Sequence, residues 1–307
     1  MTPNLPAWLD LYVPAHGFTP ERGQAHAVVH IVHGMSEHVG RYQVFAERLS
    51  RAGYAVAARN VRGHGPTPKW RGHYADQAGW SCVLDDVQAV HDGLTVLLPG
   101  VPQVLFGHSM GSFIARSFFL REGERLAGLM LSSPGFQQAT LARVLQRVAQ
   151  WLGRRDMRMP NRALSRLVFG SFALGFPPWR TRFDWLSRDV HAVDAYRADP
   201  LCGADCSAQL WSDLFAAIIA MEAQEAQGYS LNRTCAVFLL AGSRDPVSMH
   251  GRALRQLAAR YQAAGLTDVH TQCYPGGRHE MLHEMNRVQV MDDCIAWLDA
   301  RFGAHAS

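Results

Sequence analysis

From about residue 27 onward, short continuous apolar runs alternate with longer segments whose apolar positions recur every three or four residues. Runs of the first kind read as buried strands, and spacing of the second kind as amphipathic helices. The strands predicted are 27–32 (AVVHIV), 54–58, 103–106, 126–131, 235–240 and 268–274. The helices predicted are 44–51, 80–98, 113–120, 211–226, 252–263 and 288–302. Glycine punctuates the junctions: Gly53 stops the first helix, Pro99-Gly100 the second, and Arg62-Gly63-His64-Gly65-Pro66 turns the chain after the second strand. Strands alternating with helices predict a mostly parallel central sheet covered by helices on both faces.

Between 136 and 205 this rhythm breaks. The segment is rich in Arg, Pro and aromatics, with several short helical patterns and no clear strand. An insertion at this point predicts a helical cap over the carboxyl edge of the sheet, where ligands bind in such folds. The expected division is therefore a core of 1–135 and 206–307 with a cap of 136–205.

The chemistry is concentrated at predicted strand ends. Gly107-His108-Ser109-Met110-Gly111 fits G-x-S-x-G, follows a predicted strand and opens a predicted helix. A serine on that tight turn projects above the sheet edge, while small neighbours let strand and helix approach. A serine hydroxyl is a weak nucleophile until a base takes its proton. His279, in the glycine-containing loop after the last strand, is the candidate base, and Asp245, on the turn after 235–240, is the carboxylate to orient it. Asp292 and Asp293 follow the histidine on a helix, and Asp268 begins its strand, so all three are worse placed. His283 is the competing histidine and a candidate wall of the site. Acyl transfer also needs donors for the developing oxyanion. The backbone N–H of Met110 and that of Met35, in the loop after the first strand, are the candidates. Gly34, Glu37, Arg41 and His283 are the candidate substrate contacts, although a buried Glu37–Arg41 pair holding the loop fits the same residues.

Composition narrows the picture. The 307 residues carry a formal net charge of +4 and no basic run of five, so nucleic-acid binding is not expected. Arg143, Arg147, Arg154, Arg155, Arg158, Arg162 and Arg166 cluster in the predicted cap. They read first as a solvated helix face, and alternatively as a transient contact with an anionic membrane surface. The six cysteines lack paired metal spacings, and Cys202 and Cys206 could share a helix face. His26, His30, His33 and His38 have no carboxylate or Cys set at ligand spacing, so no metal or other cofactor is expected. No signal-peptide pattern and no long apolar run is read, which makes the cytoplasm the expected location.

Longer motifs carry a family resemblance. His33-Gly34-Met35-Ser36-Glu37-His38-Val39-Gly40-Arg41-Tyr42 resembles the HGxxEHxxRY segment of the monoacylglycerol lipase and lysophospholipase branch of α/β hydrolases, a group also called serine aminopeptidase S33-like. Arg62-Gly63-His64-Gly65 is similar to its RGHG turn, Gly107–Gly111 to its GHSMG, and 274–280 to its histidine loop. Ser187-Arg188-Asp189 and Asp199-Pro200-Leu201 resemble the motifs closing its cap. The likeness runs from about 27 to 300. It departs at Asn60, where the family usually has Asp, and at Pro66-Thr67. The resemblance implies an α/β-hydrolase fold and a cofactor-free ester hydrolase acting on a monoacylglycerol or lysophospholipid through an acyl-enzyme. Phe169, Phe172, Leu174, Phe176, Trp179, Phe183 and Trp185 offer apolar cap surface, either for an acyl chain or for packing the cap itself. A short-chain esterase, thioesterase or aminopeptidase would use the same machinery, and a non-catalytic binding protein could keep the scaffold.

Overall fold

The protein is described by a computed structural model over residues 10–12, 25–66, 68–136, 139–177, 180–227 and 232–303. Seven strands form one sheet: β1 (Asp10–Tyr12), β2 (Val28–Val32), β3 (Ala55–Ala58), β4 (Gln103–His108), β5 (Gly128–Ser132), β6 (Ala236–Gly242) and β7 (Val269–Tyr274). Their order is β1-β3-β2-β4-β5-β6-β7. Six run parallel, and β1 pairs antiparallel with β3 at the edge. The central strands are buried on both faces, which is why they read as unbroken apolar runs. Their residues still alternate. Leu105, Leu129, Leu131, Val237 and Leu239 face one core. Val29, Ile31, Phe106, Met130, Phe238 and Leu240 face the other. At the far edge β7 shows His270, Thr271 and Cys273 to solvent, as an edge strand must blunt its free side.

The helices sort by face. α1 (Gln43–Arg51) and α9 (Arg287–Phe302) cover one side through Phe45, Leu49, Val290 and Trp297. α2 (Gly79–Leu97), α3 (Met110–Glu122), α7 (Ala208–Ala226) and α8 (Arg252–Ala263) cover the other through Val87, Ile114, Leu214 and Leu257. Between β5 and α7 come α4 (Ala139–Gly153), α5 (Arg162–Ala173) and α6 (Val190–Ala198), with α4 lying along α7.

Three expectations need correction. β1 was not predicted, because three residues are too few to show a period. α3 starts at Met110 rather than 113, because Gly111 and Ser112, which look like turn residues, already belong to the helix. Cys202 and Cys206 lie in the loop between α6 and α7, not on a helix face, and all six cysteines are free. Among the described residues, no helix is long and apolar enough to cross a membrane.

Candidate active site

β4 ends at His108 and α3 begins at Met110, so Ser109 alone turns the chain. Its φ of 52° and ψ of −116° lie where residues with a side chain seldom sit, at a cost of about 1–3 kcal/mol. Neighbours hold it there. Its N–H donates to Ser132 O at 3.0 Å, and its carbonyl accepts from the Ser112 hydroxyl at 2.6 Å. Close approach explains the flanking glycines. A Cβ on Gly107 would lie 2.3 Å from Gly111 O, and one on Gly111 would lie 2.1 Å from Val32 O.

Asp245 lies just past the end of β6 and is fully buried. Its Oδ1 is 2.8 Å from His279 Nδ1. It also accepts from the N–H groups of Val247 (3.0 Å) and Ser248 (3.2 Å). Burial alone would raise the Asp245 pKa. The adjacent His279, followed by these hydrogen bonds, outweighs burial and holds the carboxyl below its usual range. An ionised Asp245 makes Nδ1 the donor, which leaves Nε2 of a neutral ring as an acceptor. The competing acids are engaged elsewhere: Asp292 with Arg48, Asp293 with Tyr274 and Asp268 with Arg301.

The His279 loop is held from several sides. Its N–H donates to Trp185 O at 3.3 Å, and its carbonyl accepts from the Ser133 hydroxyl at 2.5 Å. The ring packs between Trp185 and His108, with centroids 4.8 and 4.9 Å away. Burial, then the nearness of His279, pushes His108 down to about 4, so it is neutral at pH 7. The Arg278 guanidinium donates to the carbonyls of Asp184 and Ser187.

The loop after β2 is organised by charge. Glu37 Oε1 accepts from Gly34 N–H at 2.5 Å and from the Tyr42 hydroxyl at 2.8 Å. Arg41 Nη1 donates to Glu37 Oε2 at 2.6 Å, and its two terminal nitrogens fork onto both oxygens of Glu280 at 2.6 and 2.7 Å. Burial would raise both carboxylates, but Arg41 reverses this and holds them below the usual range. One guanidinium thus ties the Met35 loop to the residue after His279. Among the described residues Met35 N–H has no acceptor. Met110 is the first residue of α3, where a helix leaves its N–H groups unsatisfied.

A cavity of about 250 Å³ opens over these strand ends. Its wall brings together Gly34, Met35, Glu37, Ser109 and His279 with Phe169, Phe183 and Trp185. Asp245 and Met110 stand behind that wall. Arg41 and His283 are not part of it: Arg41 is occupied by its carboxylates, and His283 Nε2 lies 3.0 Å from Arg41 O. Phe172 and Phe176 pack in the same cluster as the wall aromatics, with Leu186, Tyr196 and Val247, but do not reach the wall themselves, Leu174 is 69% exposed, and Trp179 lies outside the described residues. Sequence reasoning missed Glu280 and Ser133. Glu280 had a signal, since it directly follows His279, whereas Ser133 had only its place in the turn that closes the 126–131 strand. His38, Asp199 and Cys202 hold ligand-type atoms within 4.8 Å of one another. His38 Nδ1 already accepts from Gly40 N–H, so its neutral ring donates from Nε2 to Asp199 at 2.8 Å. The trio reads as a hydrogen-bonded joint between the β2 loop and the end of α6.

Comparison with known proteins agrees with this architecture. A family model described as serine aminopeptidase, S33, matches residues 23–286. A monoacylglycerol lipase of Mycolicibacterium smegmatis is 28% identical over 285 residues, covering 92% of this chain and 90% of that protein. A solved structure described as a lipase in an open form superposes with a TM-score of 0.82 at 27% identity, over 96% of this chain and 94% of that one. A carboxyl esterase from Bacillus coagulans, solved in complex with glycerol, gives 0.83 at 24% identity, over 95% and 93% of the two chains. The fold is that of the α/β hydrolases.

Proposed function

Because this chain belongs to the family of α/β hydrolases described as serine aminopeptidase, S33, we propose that it is a serine carboxylic ester hydrolase cleaving acyl esters of small lipids, a monoacylglycerol or a lysophospholipid. His279 Nε2 takes the proton of Ser109 Oγ as that oxygen bonds to the ester carbonyl carbon. The oxygen that becomes negative accepts from the N–H groups of Met35 and Met110. His279 then delivers the proton to the leaving alcohol as the C–O bond breaks, and the acyl group stays on Ser109. Water, deprotonated by the same imidazole, releases the fatty acid and restores the serine. Asp245 keeps Nδ1 protonated throughout and stabilises the imidazolium. The observation that carries this reading is the buried 2.8 Å Asp245–His279 pair beside a cavity whose wall also holds the strained Ser109. The apolar wall from Phe169, Phe183 and Trp185 supports an acyl chain as the buried part of the substrate.

The test is a turnover panel. It holds monoacylglycerols and lysophosphatidylcholines of several chain lengths, a short p-nitrophenyl ester, an acyl-CoA and a proline arylamide. Labelling by a serine-directed phosphonate runs alongside. Fatty-acid release from the lipid esters, with the label on Ser109, is the expected result. Preference for the short ester, thioester or amide would keep the machinery and replace the substrate. A label on another residue would remove the mechanism.

Residues 136–205 are assigned as a cap over this site, and its outer surface suggests where the lipid comes from. Leu141, Val144, Trp151, Met159, Leu167 and Leu174 are each at least half exposed. The seven arginines of 143–166 are exposed among them, and α4 contains no acidic residue. Such a surface favours transient contact with an anionic membrane. Co-sedimentation with phosphatidylglycerol vesicles is expected at low salt, falling several-fold at high salt as charges are screened. Equal binding to uncharged phosphatidylcholine vesicles, or none to either, would refute the contact.

A further inference from the structure

Almost every charge near the cavity is already spoken for, with two cationic exceptions. Glu37 and Glu280 share Arg41. In the surrounding segment Arg158 lies on Asp76, Arg180 on Asp194 and Arg188 on Glu284. Arg166, on α5, and Arg182, in the turn before α6, both belong to the cavity wall and are both exposed. Among the described residues neither has a carboxylate within ion-pairing distance. Arg182 instead lies over the Phe183 ring, 4.6 Å from its centroid, and that ring is itself part of the wall. Among the described residues the other wall charge without an ion-pair partner is Asp205, in the loop after α6. The carboxylates by Ser109 are buried, so the cavity is anionic and neutralised at its floor and cationic at its exposed rim.

We propose that Arg166 and Arg182 select substrates whose head group carries a phosphate, so that the ester cleaved is a lysophospholipid in preference to a monoacylglycerol. This rests on the ester-hydrolase reading of the same site. The chemistry is direct. The acyl chain occupies the aromatic wall, the ester carbonyl lies at Ser109, and the head group is left at the rim. A guanidinium donates two parallel N–H bonds to a phosphate, which an uncharged glycerol cannot accept with comparable strength. An exposed arginine gains little from an isolated charge. A concave rim with apolar walls and two cations on it concentrates an anion more effectively. Asp205 then discriminates beyond the phosphate, favouring a head group with a terminal amine or choline over one ending in a second anion.

The experiment uses matched octanoyl esters below their micelle concentrations, so that attraction to a charged surface plays no part. They are octanoyl lysophosphatidylcholine, octanoyl lysophosphatidylglycerol and octanoylglycerol. For the wild type, kcat/KM for the phosphate-bearing esters is expected to exceed that for octanoylglycerol about tenfold. In Arg166→Gln/Arg182→Gln the ratio should fall to about one. Arg121→Gln, which removes an equal charge from an ion pair between α3 and α2, should leave it unchanged. Calorimetric binding of the same lipids to Ser109→Ala reads head-group selection whether or not turnover occurs, and so separates this inference from the ester reading. Competition by glycerol phosphate distinguishes recognition of the intact lipid from recognition of any free phosphate ester. A wild-type ratio near one, or a ratio the double substitution does not move, overturns the proposal.

Discussion

Ser109→Ala is expected to lower ester turnover about 10^6-fold, and Asp245→Asn about 10^3–10^4-fold, with the fold retained in both. Alanine removes the only atom that can form the acyl-enzyme, while the turn keeps its hydrogen bonds to Ser132 O and from Ser112 through the backbone. The asparagine case is more informative, because its amide must choose an orientation. Asp245 accepts from three groups: Val247 N–H and His279 Nδ1 at Oδ1, and Ser248 N–H at Oδ2. If the amide oxygen takes the Oδ1 position, His279 keeps its tautomer. The imidazolium then loses its buried counter-charge, and the Ser248 N–H faces an NH2 group. If the NH2 takes that position, His279 Nδ1 must accept, Nε2 carries the proton, and Ser109 has no base. Each orientation sets one backbone N–H against a donor, so a modest loss of Tm accompanies the kinetic defect. The measurement is kcat on the best ester of the panel, with Tm by circular dichroism. An Asp245→Asn enzyme keeping more than about a tenth of wild-type turnover would remove Asp245 from the mechanism.

How much of this was readable beforehand depends on how far apart the cooperating residues lie. The central sheet was legible because strands buried on both faces, such as Ala236–Gly242, appear as unbroken apolar runs. The Ser109 turn was legible because all its geometric demands fall within five consecutive residues. Asp245 and His279 could be proposed from their places after strands, since a parallel sheet puts all such loops at one edge. The fork from Arg41 to Glu280 spans 239 positions and leaves no local pattern, so the sequence offers Arg41 a substrate contact or a pair with nearby Glu37, but not the tie to the His279 loop. The aromatics of 169–185 look alike in sequence. All five pack in one cluster, and only the cavity separates Phe169, Phe183 and Trp185, which reach its wall, from Phe172 and Phe176, which do not. The unpaired state of Arg166 and Arg182 was likewise invisible among so many arginines, because it depends on where every nearby carboxylate is engaged.

The Arg41 fork carries the second large expectation. Arg41→Met should destabilise the protein by about 3–5 kcal/mol, because it leaves Glu37 and Glu280 buried without their shared cation. That corresponds to a fall in Tm of about 10 °C in a domain of this size. The methionine fills much of the arginine's volume, so lost charge rather than a cavity dominates. The pH dependence has a definite sign. In the wild type both carboxyls are held below their ordinary range in the folded state. Their contribution is therefore present above the unfolded carboxyl pKa and is lost as pH falls through the folded values. In Arg41→Met the largest influence opposing burial is gone from both, so burial raises them and each gains by taking up a proton as pH falls. The deficit in Tm should thus be largest near about pH 8 and shrink toward about pH 5. Adding Glu37→Gln and Glu280→Gln should recover at least about half of the lost Tm, since a glutamine oxygen can still accept from Gly34 N–H and Tyr42 without needing a counter-ion. Activity should not recover in parallel. The tie between the Met35 loop and the His279 loop would still be cut, and the oxyanion donors would no longer be held at a fixed distance from the base. A triple variant that regained full turnover along with its stability would show that Arg41 only balances charge and does not position the site.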